Sequence, residues 1–364
     1  MRSNEQRRIL IAPLDWGLGH TTRCIPVIAE LQRSGCVVLF AGNEWQCAFI
    51  EESLPGIETC SLDGYEIRYG NSAFLTAFAL ILQIPGILRT IKREHAWLTA
   101  LVRKKHIDGI ISDNRYGLHH PEIQSVIMTH QLQIRSGWGG LTDTVLRKLH
   151  YRLLRRFQSC WVVDLPQAPG LAGTLSHPED RPGNEVYIGT LSRFGVSQKV
   201  AVGSEIVILL SGPEPQRTML SDLLWEQVKH YHGNVIFIEG RYDAPDRESS
   251  LPNLRHMKIV SGRELEPILQ QAALVISRSG YSTVMDLVAM RKRAILLPTP
   301  GQTEQEYLGR YLMDRKIFYS ASQNEFILSK ALISAELFYA SASGFNIPGP
   351  GVLREIIEDW TSKL

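Results

Sequence analysis

The stretch SRSGYSTVMD at residues 277–286, followed by PTPGQTEQEY at residues 298–307, decides the fold of the second half of the chain. Each stretch follows a short apolar run typical of a buried strand and passes through Gly, Ser or Pro into the polar first turn of a helix. Free backbone N–H groups and the positive end of the helix dipole meet there, so residues 279–283 can bind a phosphate. Asp286 can accept both hydroxyls of a ribose, and Gln305 and Glu306 can bridge those of a hexose.

Both stretches also allow a purely structural interpretation. Residues 278–286 could form only a capped strand-to-helix turn, and Glu306 could only favour the positive end of its helix. Turn formation alone does not require a second polar helix start one strand later, and Ser211 and Gly212 follow a third predicted strand. The pairing therefore favours a phosphate site next to a sugar site.

The overall composition narrows the class of protein. At 364 residues the chain is longer than most single domains, which predicts two. It is 44% hydrophobic and 21% charged, as ordinary globular proteins are, and a net charge of +2 does not indicate nucleic-acid binding. Five cysteines without a C-x-x-C pair favour free thiols over disulfides or zinc. Together with a polar N-terminus unlike a signal peptide, this predicts a cytoplasmic protein.

The first half opens with a strand–helix–strand pattern. An apolar run at residues 8–12 precedes DWGLGH at residues 15–20, an amphipathic helix, and a second apolar run at residues 36–41. This pattern predicts a parallel sheet with a ligand crevice at the carboxyl ends of its strands, although the two glycines could form only a tight turn. A dinucleotide fingerprint would need a third glycine where Thr22 stands, so hydride transfer is disfavoured.

Two segments of the first half have two interpretations each. The apolar residues 73–88 predict either a core helix kinked at Pro85 or a face that dips into a membrane surface. The helix predicted at residues 145–157 carries five basic residues, which form either a solvated face or a surface for anionic lipid or a phosphorylated acceptor. Further strands at residues 109–112 and 126–129 end in polar residues, among them Asp113 and His130.

A loop-rich segment separates two α/β series. We expect an N-terminal acceptor-binding domain at residues 1–195, a donor-binding domain at 196–345 and a C-terminal helix at 346–364. The second series is predicted to contain strands at residues 206–210, 234–238 and 258–260 before the two stretches quoted above.

The second half resembles the donor-binding domain of family 28 glycosyltransferases, the group of the MurG-type and monogalactosyldiacylglycerol synthase-like enzymes. The resemblance implies the α/β GT-B fold, with two Rossmann-like domains facing a cleft and a C-terminal helix that could return to the N-terminal domain. It also implies an inverting transfer of a hexose or N-acetylhexosamine from a nucleotide diphosphate sugar, with UDP expected, to an acceptor hydroxyl. No metal and no cofactor are expected, which agrees with the lack of a D-x-D motif.

The resemblance assigns roles to individual positions. The family motif R-S-G-x-x-T-V-x-E matches residues 278–286 with Asp in place of Glu, and Q-Q-Y matches residues 305–307 with Glu in place of the second Gln. The resemblance places Arg193 on the diphosphate and the backbone of residues 261–265 on the base. The expected donor-binding residues are Gly19, Arg193, Ser211, Gly212, Ser261, Leu265, Arg278, Ser279, Gly280, Ser282, Thr283, Asp286, Gln302, Gln305 and Glu306.

The glycine-rich G-G-T-G-G-H loop of the family corresponds to DWGLGH, in which Gly19 and His20 fit while Asp15 and Trp16 replace the leading glycines. A base must take the proton of the acceptor hydroxyl, and His20 has a suitable pKa range. Asp15 and Asp113 are alternative bases, and His20 could instead be a structural cap.

The expected partners are a nucleotide-sugar donor and a sugar, lipid or lipid-linked acceptor, with peripheral contact to an anionic membrane at the inner face of the cell membrane. Nucleic acid is not expected. Two other functions share the donor site: a nucleotide-sugar 2-epimerase, which needs no acceptor, and a catalytically silent nucleotide-sugar-binding scaffold.

Overall fold

The computed structural model describes residues 6–65, 73–134, 139–195, 203–241, 243–247, 251–341 and 351–364. The chain divides into two compact units, the first formed by Met1–Arg193 with Pro348–Leu364 and the second by Phe194–Ile347. Each unit contains one parallel sheet with helices between its strands. The predicted fold class, with two Rossmann-like domains, is thereby confirmed.

The first unit has a seven-stranded parallel sheet in the order β3-β2-β1-β4-β5-β6-β7. Its strands are β1 (Arg8–Pro13), β2 (Val37–Gly42), β3 (Glu58–Ser61), β4 (Gly109–Asp113), β5 (Gln124–Thr129), β6 (Ser159–Val162) and β7 (Glu185–Tyr187). Its helices are α1 (Leu18–Arg33), α2 (Glu44–Ser53), α3 (Ala73–Lys105), α4 (Gly140–Leu154) and α10 (Gly351–Ser362). The central strands β1 and β4 are almost entirely buried, as expected for strands of a parallel sheet covered on both faces.

Helix α10 returns to the first unit, as the predicted fold class has it. The Trp360 ring packs edge-on against Trp161 of β6, with ring centroids 5.6 Å apart. A Cβ atom at Gly109 would come within 2.6 Å of the Trp360 ring, so glycine at the start of β4 makes room for this helix. Arg354 of α10 also pairs with Glu30 of α1 at 3.5 Å.

The apolar segment at residues 73–88 is part of α3, which continues through Pro85. The side chains of residues 73–84 lie outside the described part of the structure. The prediction that they form either a core helix or a face at a membrane surface therefore stays a prediction. Within the described residues, no helix combines the length and apolarity that crossing a membrane requires.

The second unit has a six-stranded parallel sheet in the order β10-β9-β8-β11-β12-β13. Its strands are β8 (Glu205–Leu209), β9 (Val235–Ile238), β10 (Leu254–Met257), β11 (Ala272–Ser277), β12 (Ala294–Leu296) and β13 (Tyr319–Ser320). Its helices are α5 (Gln216–Val228), α6 (Gly262–Gln271), α7 (Tyr281–Ala289), α8 (Thr303–Asp314) and α9 (Leu328–Ala340). The core packs α5 and α9 against the sheet around Trp225 and Phe237.

The strand predicted at residues 258–260 is wrong. The chain pairs with β9 earlier, with Leu254 opposite Val235 and Met257 opposite Ile238. Ile259, which suggested a strand, is 39% exposed in the segment that leads to α6. Pairing with a neighbouring strand outweighed local β propensity, which a pattern of apolar residues cannot show.

Candidate functional site

Each sheet has one point at which the strand order reverses. In the first sheet it lies between β1 and β4, and in the second between β8 and β11. Ligands of doubly wound α/β proteins bind in the crevice outside the carboxyl ends of the strands at such a point. His20, Asp113, Ser211 and residues 278–286 lie at or directly after these strands.

In the first unit, the reversal point brings His20 to Asp113. Gly17, with φ of 79°, caps α1 and lets the chain turn from β1 into the helix that carries His20. Asp113 is the last residue of β4 and lies opposite Pro13 of β1. As a result, Nδ1 of His20 lies 3.1 Å from Oδ2 of Asp113 although the residues are 93 positions apart.

Arg23 and His130 complete this cluster. The guanidinium of Arg23, 2% exposed, donates from Nε to Oδ2 of Asp113 at 2.6 Å and from Nη2 to Oδ1. Nη1 of Arg23 lies 3.1 Å from Nδ1 of His130, in the segment after β5. Sequence reasoning noted His130 only as a polar residue after a strand and missed Arg23. The signal for Arg23 was its position three residues after His20, one turn along the same helix face.

The cluster sets the charges of its members. Burial alone would raise the pKa of Asp113, but Arg23 and His20 outweigh it and lower that pKa to about 2. Burial, and then the charge of Arg23, lower the pKa of His20 despite the nearby Asp113. At neutral pH the site therefore holds an ionised carboxylate beside a neutral imidazole, the form that can accept a proton.

Asp15 points elsewhere. Its Oδ1 accepts a hydrogen bond from the backbone N–H of Tyr65 at 3.2 Å, and its Oδ2 lies where a Cβ atom at Gly64 would stand. The carboxylate thus fixes the segment after β3. Gly19 lies in the first turn of α1, where its carbonyl accepts a hydrogen bond from Thr22 at 3.1 Å.

In the second unit, α7 leaves only polar side chains accessible. Six of its residues are buried, and the other three, Ser282, Thr283 and Asp286, are partly exposed. Ser282 and Asp286 lie one turn apart and so share a face of the helix. A Cβ atom at the N-cap residue Gly280 would meet nothing within 4 Å, so the space in front of the helix start is open.

The helix starts of α7 and α8 are connected. Ser279 is fully buried and donates from Oγ to the carbonyl of Gln305 at 2.8 Å. The amide of Gln305 accepts from the N–H and the hydroxyl of Thr299, each at 3.0 Å, and donates to Gln302 at 2.6 Å. Glu306 accepts from the N–H of Gly301 at 2.8 Å. These side chains shape the loop at the start of α8, and three of the expected donor contacts, Gln302, Gln305 and Glu306, are together there.

Arg278 faces inward. Its side chain is 1% exposed and donates to the carbonyls of Gln216, Leu297 and Pro298 and to Oε1 of Gln323, at 2.7, 3.2, 3.3 and 2.6 Å. All four acceptors are neutral, and burial lowers the pKa of Arg278 only to about 10. The guanidinium therefore keeps a positive charge directly before the start of α7, and among the described residues no carboxylate contacts it.

Ser211 and Gly212 follow β8, on the other side of the reversal point. Gly212 has φ of 106°, and a Cβ atom there would meet nothing within 4 Å. Next to them is Glu214, which sequence reasoning did not select. Its carboxylate accepts from the N–H and hydroxyl of Thr218, at 3.2 and 2.7 Å, and pairs with Arg217 and Arg241. A carboxylate paired with two arginines therefore already occupies the start of α5.

The remaining expected donor contacts lie on separate elements. Ser261 caps α6 through a capping box with Glu264, and Leu265 is buried one turn later. Arg193 lies in the segment after β7, at the end of the first unit. In the residues that the structure describes, no group of three or more His, Cys, Asp or Glu side chains could hold a metal ion.

Helix α4 exposes a mixed apolar and basic face. Val145 and Leu149 are 52% and 53% exposed, and Lys148 and Arg152 are exposed beside them. Arg147, also of this helix, is used within the unit, where it pairs with Asp180 at 2.5 Å. Of the basic residues predicted in this helix, Arg147 therefore forms an ion pair within the unit, whereas Lys148 and Arg152 lie on an exposed face.

Comparisons with known proteins agree with this architecture. Residues 216–334, from the start of α5 into α9, match the family model of the glycosyltransferase family 28 C-terminal domain. This range includes all the expected donor residues of the second unit except Ser211 and Gly212. A UDP-N-acetylglucosamine--N-acetylmuramyl-(pentapeptide) pyrophosphoryl-undecaprenol N-acetylglucosamine transferase of Clostridium perfringens is 34% identical over 98 residues, which are 27% of this chain and 24% of that protein.

Solved structures of low sequence identity share the whole fold. The glycotransferase of kitacinnamycin has a TM-score of 0.68 at 14% identity, over 99% of this chain and 95% of that one. MurG of Acinetobacter baumannii has a TM-score of 0.54 at 15% identity, over 99% of this chain and 100% of that one. The GT-B fold and the family resemblance predicted from the motifs are confirmed.

Proposed function

We propose, from the match of residues 216–334 to the family model of the glycosyltransferase family 28 C-terminal domain, that the protein is an inverting, metal-independent glycosyltransferase. It transfers a hexose or N-acetylhexosamine from a UDP-sugar to an acceptor hydroxyl. The observation that carries the proposal is the start of α7, where open space, partly exposed hydroxyls and the unbalanced charge of Arg278 favour a diphosphate.

The donor site follows from the residues around this helix start. Ser282 and Thr283 and the N–H groups of the first turn contact the diphosphate, and Arg278 stabilises it from behind as a buried cation. Asp286 accepts hydrogen bonds from the ribose hydroxyls, and Gln305 and Glu306 contact the sugar. The name of the Clostridium perfringens relative specifies UDP-N-acetylglucosamine, which supports uridine as the base.

The base is His20, and Asp113 orients it. The ion pair with Arg23 leaves Asp113 ionised, and a proton on Nδ1 of His20 satisfies Oδ2 of Asp113 at 3.1 Å. Nε2 then carries the lone pair, and it has no hydrogen-bond partner among the described residues. The fixed place of Asp15 beside Tyr65 makes it a poorer candidate.

The reaction is a single displacement. The acceptor oxygen forms a bond to the anomeric carbon while the bond from that carbon to the diphosphate breaks. The electron pair of the broken bond leaves with the nucleoside diphosphate, and the proton of the acceptor hydroxyl moves to Nε2 of His20. Helix-start donors and Arg278 stabilise the charge that develops on the leaving group.

The acceptor is proposed to be lipid-linked and presented at the inner face of a cell membrane. The exposed face of α4, with Val145 and Leu149 beside Lys148 and Arg152, suits peripheral contact with an anionic surface. The Clostridium perfringens relative is named for a pyrophosphoryl-undecaprenol acceptor, which supports the same class of acceptor here.

A nucleotide screen followed by a turnover assay tests the proposal. UDP and UDP-sugars at a hundredfold excess over Kd should raise Tm by about 5–10 °C, whereas ADP and GDP should not. UDP release should then depend on a polyprenyl-linked sugar acceptor in detergent micelles.

Four results would contradict it. If no nucleoside diphosphate stabilises the protein, the proposed donor site is contradicted. If only ADP stabilises it, uridine is the wrong nucleobase. An epimer formed from a UDP-sugar without acceptor would indicate a 2-epimerase. Binding with no turnover on any acceptor would indicate a scaffold.

A further inference from the structure

Arg23 holds both oxygens of the carboxylate that contacts the proposed base. It is 2% exposed in α1, and Asp113 is fully buried at the end of β4. Nε of Arg23 donates to Oδ2 at 2.6 Å while Nη2 donates to Oδ1. Arginine can make this two-pronged contact because its guanidinium is planar with parallel donors, whereas the ammonium of lysine is a point charge.

The contact of Arg23 with Asp113 affects which ring nitrogen of His20 carries the proton. Oδ2 of Asp113 lies 3.1 Å from Nδ1 of His20, and Nη2 of Arg23 lies 2.9 Å from the same nitrogen. Asp113 can only accept at Nδ1 and Arg23 can only donate there. Because Arg23 already donates to both oxygens of Asp113, we take the tautomer in which a proton on Nδ1 satisfies Asp113, and the NMR titration below tests that choice. Nε2 is then the accepting nitrogen, in a side chain that is 15% exposed.

Charged and titratable groups face His20 from three elements. Arg23 comes from its own helix, Asp113 from β4, and His130 from the segment after β5; the Cys24 thiol contacts the carbonyl of His20 at 3.4 Å. The charge of Arg23 opposes protonation of the ring, and that of Asp113 favours it. Loss of the cation alone would leave a buried carboxylate beside the ring and so favour the imidazolium.

We propose that Arg23 is a positioning residue for the base, which fixes Asp113 so that His20 stays neutral with its Nε2 lone pair available to the acceptor hydroxyl. The inference rests on the proposed function, in which Nε2 takes the proton of the acceptor. Arg23 itself contacts neither substrate. It acts through Asp113, by geometry and by charge.

Two substitutions separate these effects. Arg23→Lys keeps the positive charge and loses the two-pronged grip, whereas Arg23→Gln loses the charge. Arg33→Lys and Arg33→Gln are the matched controls, because Arg33 lies in the same helix with a side chain that is 61% exposed. UDP binding and the Tm of each variant report whether the chain is folded.

The closing experiment is an NMR titration of the histidine rings of the full chain, combined with the pH profile of kcat. Loss of one signal in His20→Gln assigns the ring. In the wild type, His20 should show the tautomer with the proton on Nδ1 and a midpoint below that of the exposed histidines. In Arg23→Gln the midpoint should rise by roughly one to three pH units.

Arg23→Lys should leave the midpoint near that of the wild type but lower kcat by about tenfold to a hundredfold, with KM for the donor unchanged. The Arg33 variants should change neither quantity. If Arg23→Gln does not fold, Arg23→Lys decides the matter, because it keeps the charge that the buried Asp113 requires.

An unchanged midpoint in Arg23→Gln, or full kcat in Arg23→Lys, would overturn the inference. The titration needs no substrate, so it is independent of the proposed function. A chain without turnover on any donor, whose His20 midpoint still rises in Arg23→Gln, would contradict the proposed function and support the coupling of Arg23 to His20.

Discussion

The two strand reversal points of this protein have the same topology but differ in the partners of their buried arginine. Each buries an arginine at the carboxyl ends of its central strands. Arg23 of the first unit pairs with the carboxylate of Asp113, whereas Arg278 of the second contacts only neutral oxygens. At the first point the buried arginine is therefore balanced by a carboxylate beside a neutral imidazole, and at the second the buried arginine contacts no carboxylate among the described residues.

This difference indicates what each point can do. A neutral imidazole oriented by a carboxylate is suited to accept a proton, and it would be a poor site for an anion. Hydroxyls and N–H groups at a helix start, with an unbalanced cation behind them, suit a diphosphate and would not act as a base. In the proposed function, the first unit supplies proton transfer and the second supplies anion binding.

The largest effect should come from His20→Ala. Loss of a general base typically lowers the rate by about a hundredfold to ten-thousandfold, so kcat should fall by that factor. Affinity for UDP, which the proposed function assigns to the second unit, should not change, as isothermal titration would show. His232→Ala, at an exposed position of the second unit, is the control. Weaker UDP binding in His20→Ala would break the proposed division of labour.

The second-largest effect should be a loss of stability of the first unit at acidic pH. His150 is 4% exposed, and its burial lowers its pKa to about 4. The unfolded chain binds this proton near pH 6.5, so falling pH from 6.5 to 4 should remove up to roughly 3 kcal/mol of stability. Asp113 adds a loss only at lower pH, as the pH falls through about 2. Amide hydrogen exchange should show the first unit opening as pH falls.

His150→Gln tests the cause of this acid sensitivity. The variant should lose stability at pH 7, because Nε2 of His150 contacts the hydroxyl of Tyr116 at 3.1 Å. Its stability should then depend less on pH between 6.5 and 4. The free energy of unfolding is measured by urea denaturation at several pH values. If it depends on pH between 6.5 and 4 as strongly in the variant as in the wild type, His150 is not the main titrating group.

Asp286→Ala should have an intermediate effect, on the donor alone. Loss of hydrogen bonds to a charged acceptor costs about 1.5–3 kcal/mol, so KM for the UDP-sugar should rise by roughly tenfold to a hundredfold. The pH profile of kcat should stay as it is, because His20 belongs to the other unit. Asp314→Ala, exposed at the far end of α8, serves as the control, and Asp286→Glu, which restores the family residue, should recover most of the affinity.

The smallest effect should be a gain in affinity for UDP. Glu214 places a carboxylate at the start of α5, beside Ser211 and Gly212. A charge at a helix end contributes about 0.3–1 kcal/mol, so Glu214→Gln should tighten UDP binding by about twofold to fivefold. Binding measured by isothermal titration at low salt should show the gain, and high salt should reduce it. Weaker binding would mean that Glu214 contacts the donor directly.

The sequence predicted most of the architecture because its strand and helix signals are local. Glycine at position 17 and Ser or Gly at positions 279 and 280 mark the strand-to-helix turns directly. It also proposed Asp15 and Asp113 as alternatives to His20. Only the pairing of β1 with β4 brought Asp113 to His20, while Asp15 bonded to the chain after β3.

By itself, then, the sequence determined two parallel α/β units, the polar helix starts at their strand ends and the resemblance to family 28, since each depends on neighbours within about ten positions. The tertiary structure decided which of those polar groups meet and which way they face. It turned Arg278 inward onto carbonyls and joined Arg23 to Asp113. Strand order and burial set these contacts over some 90 positions, and no local pattern contains that information.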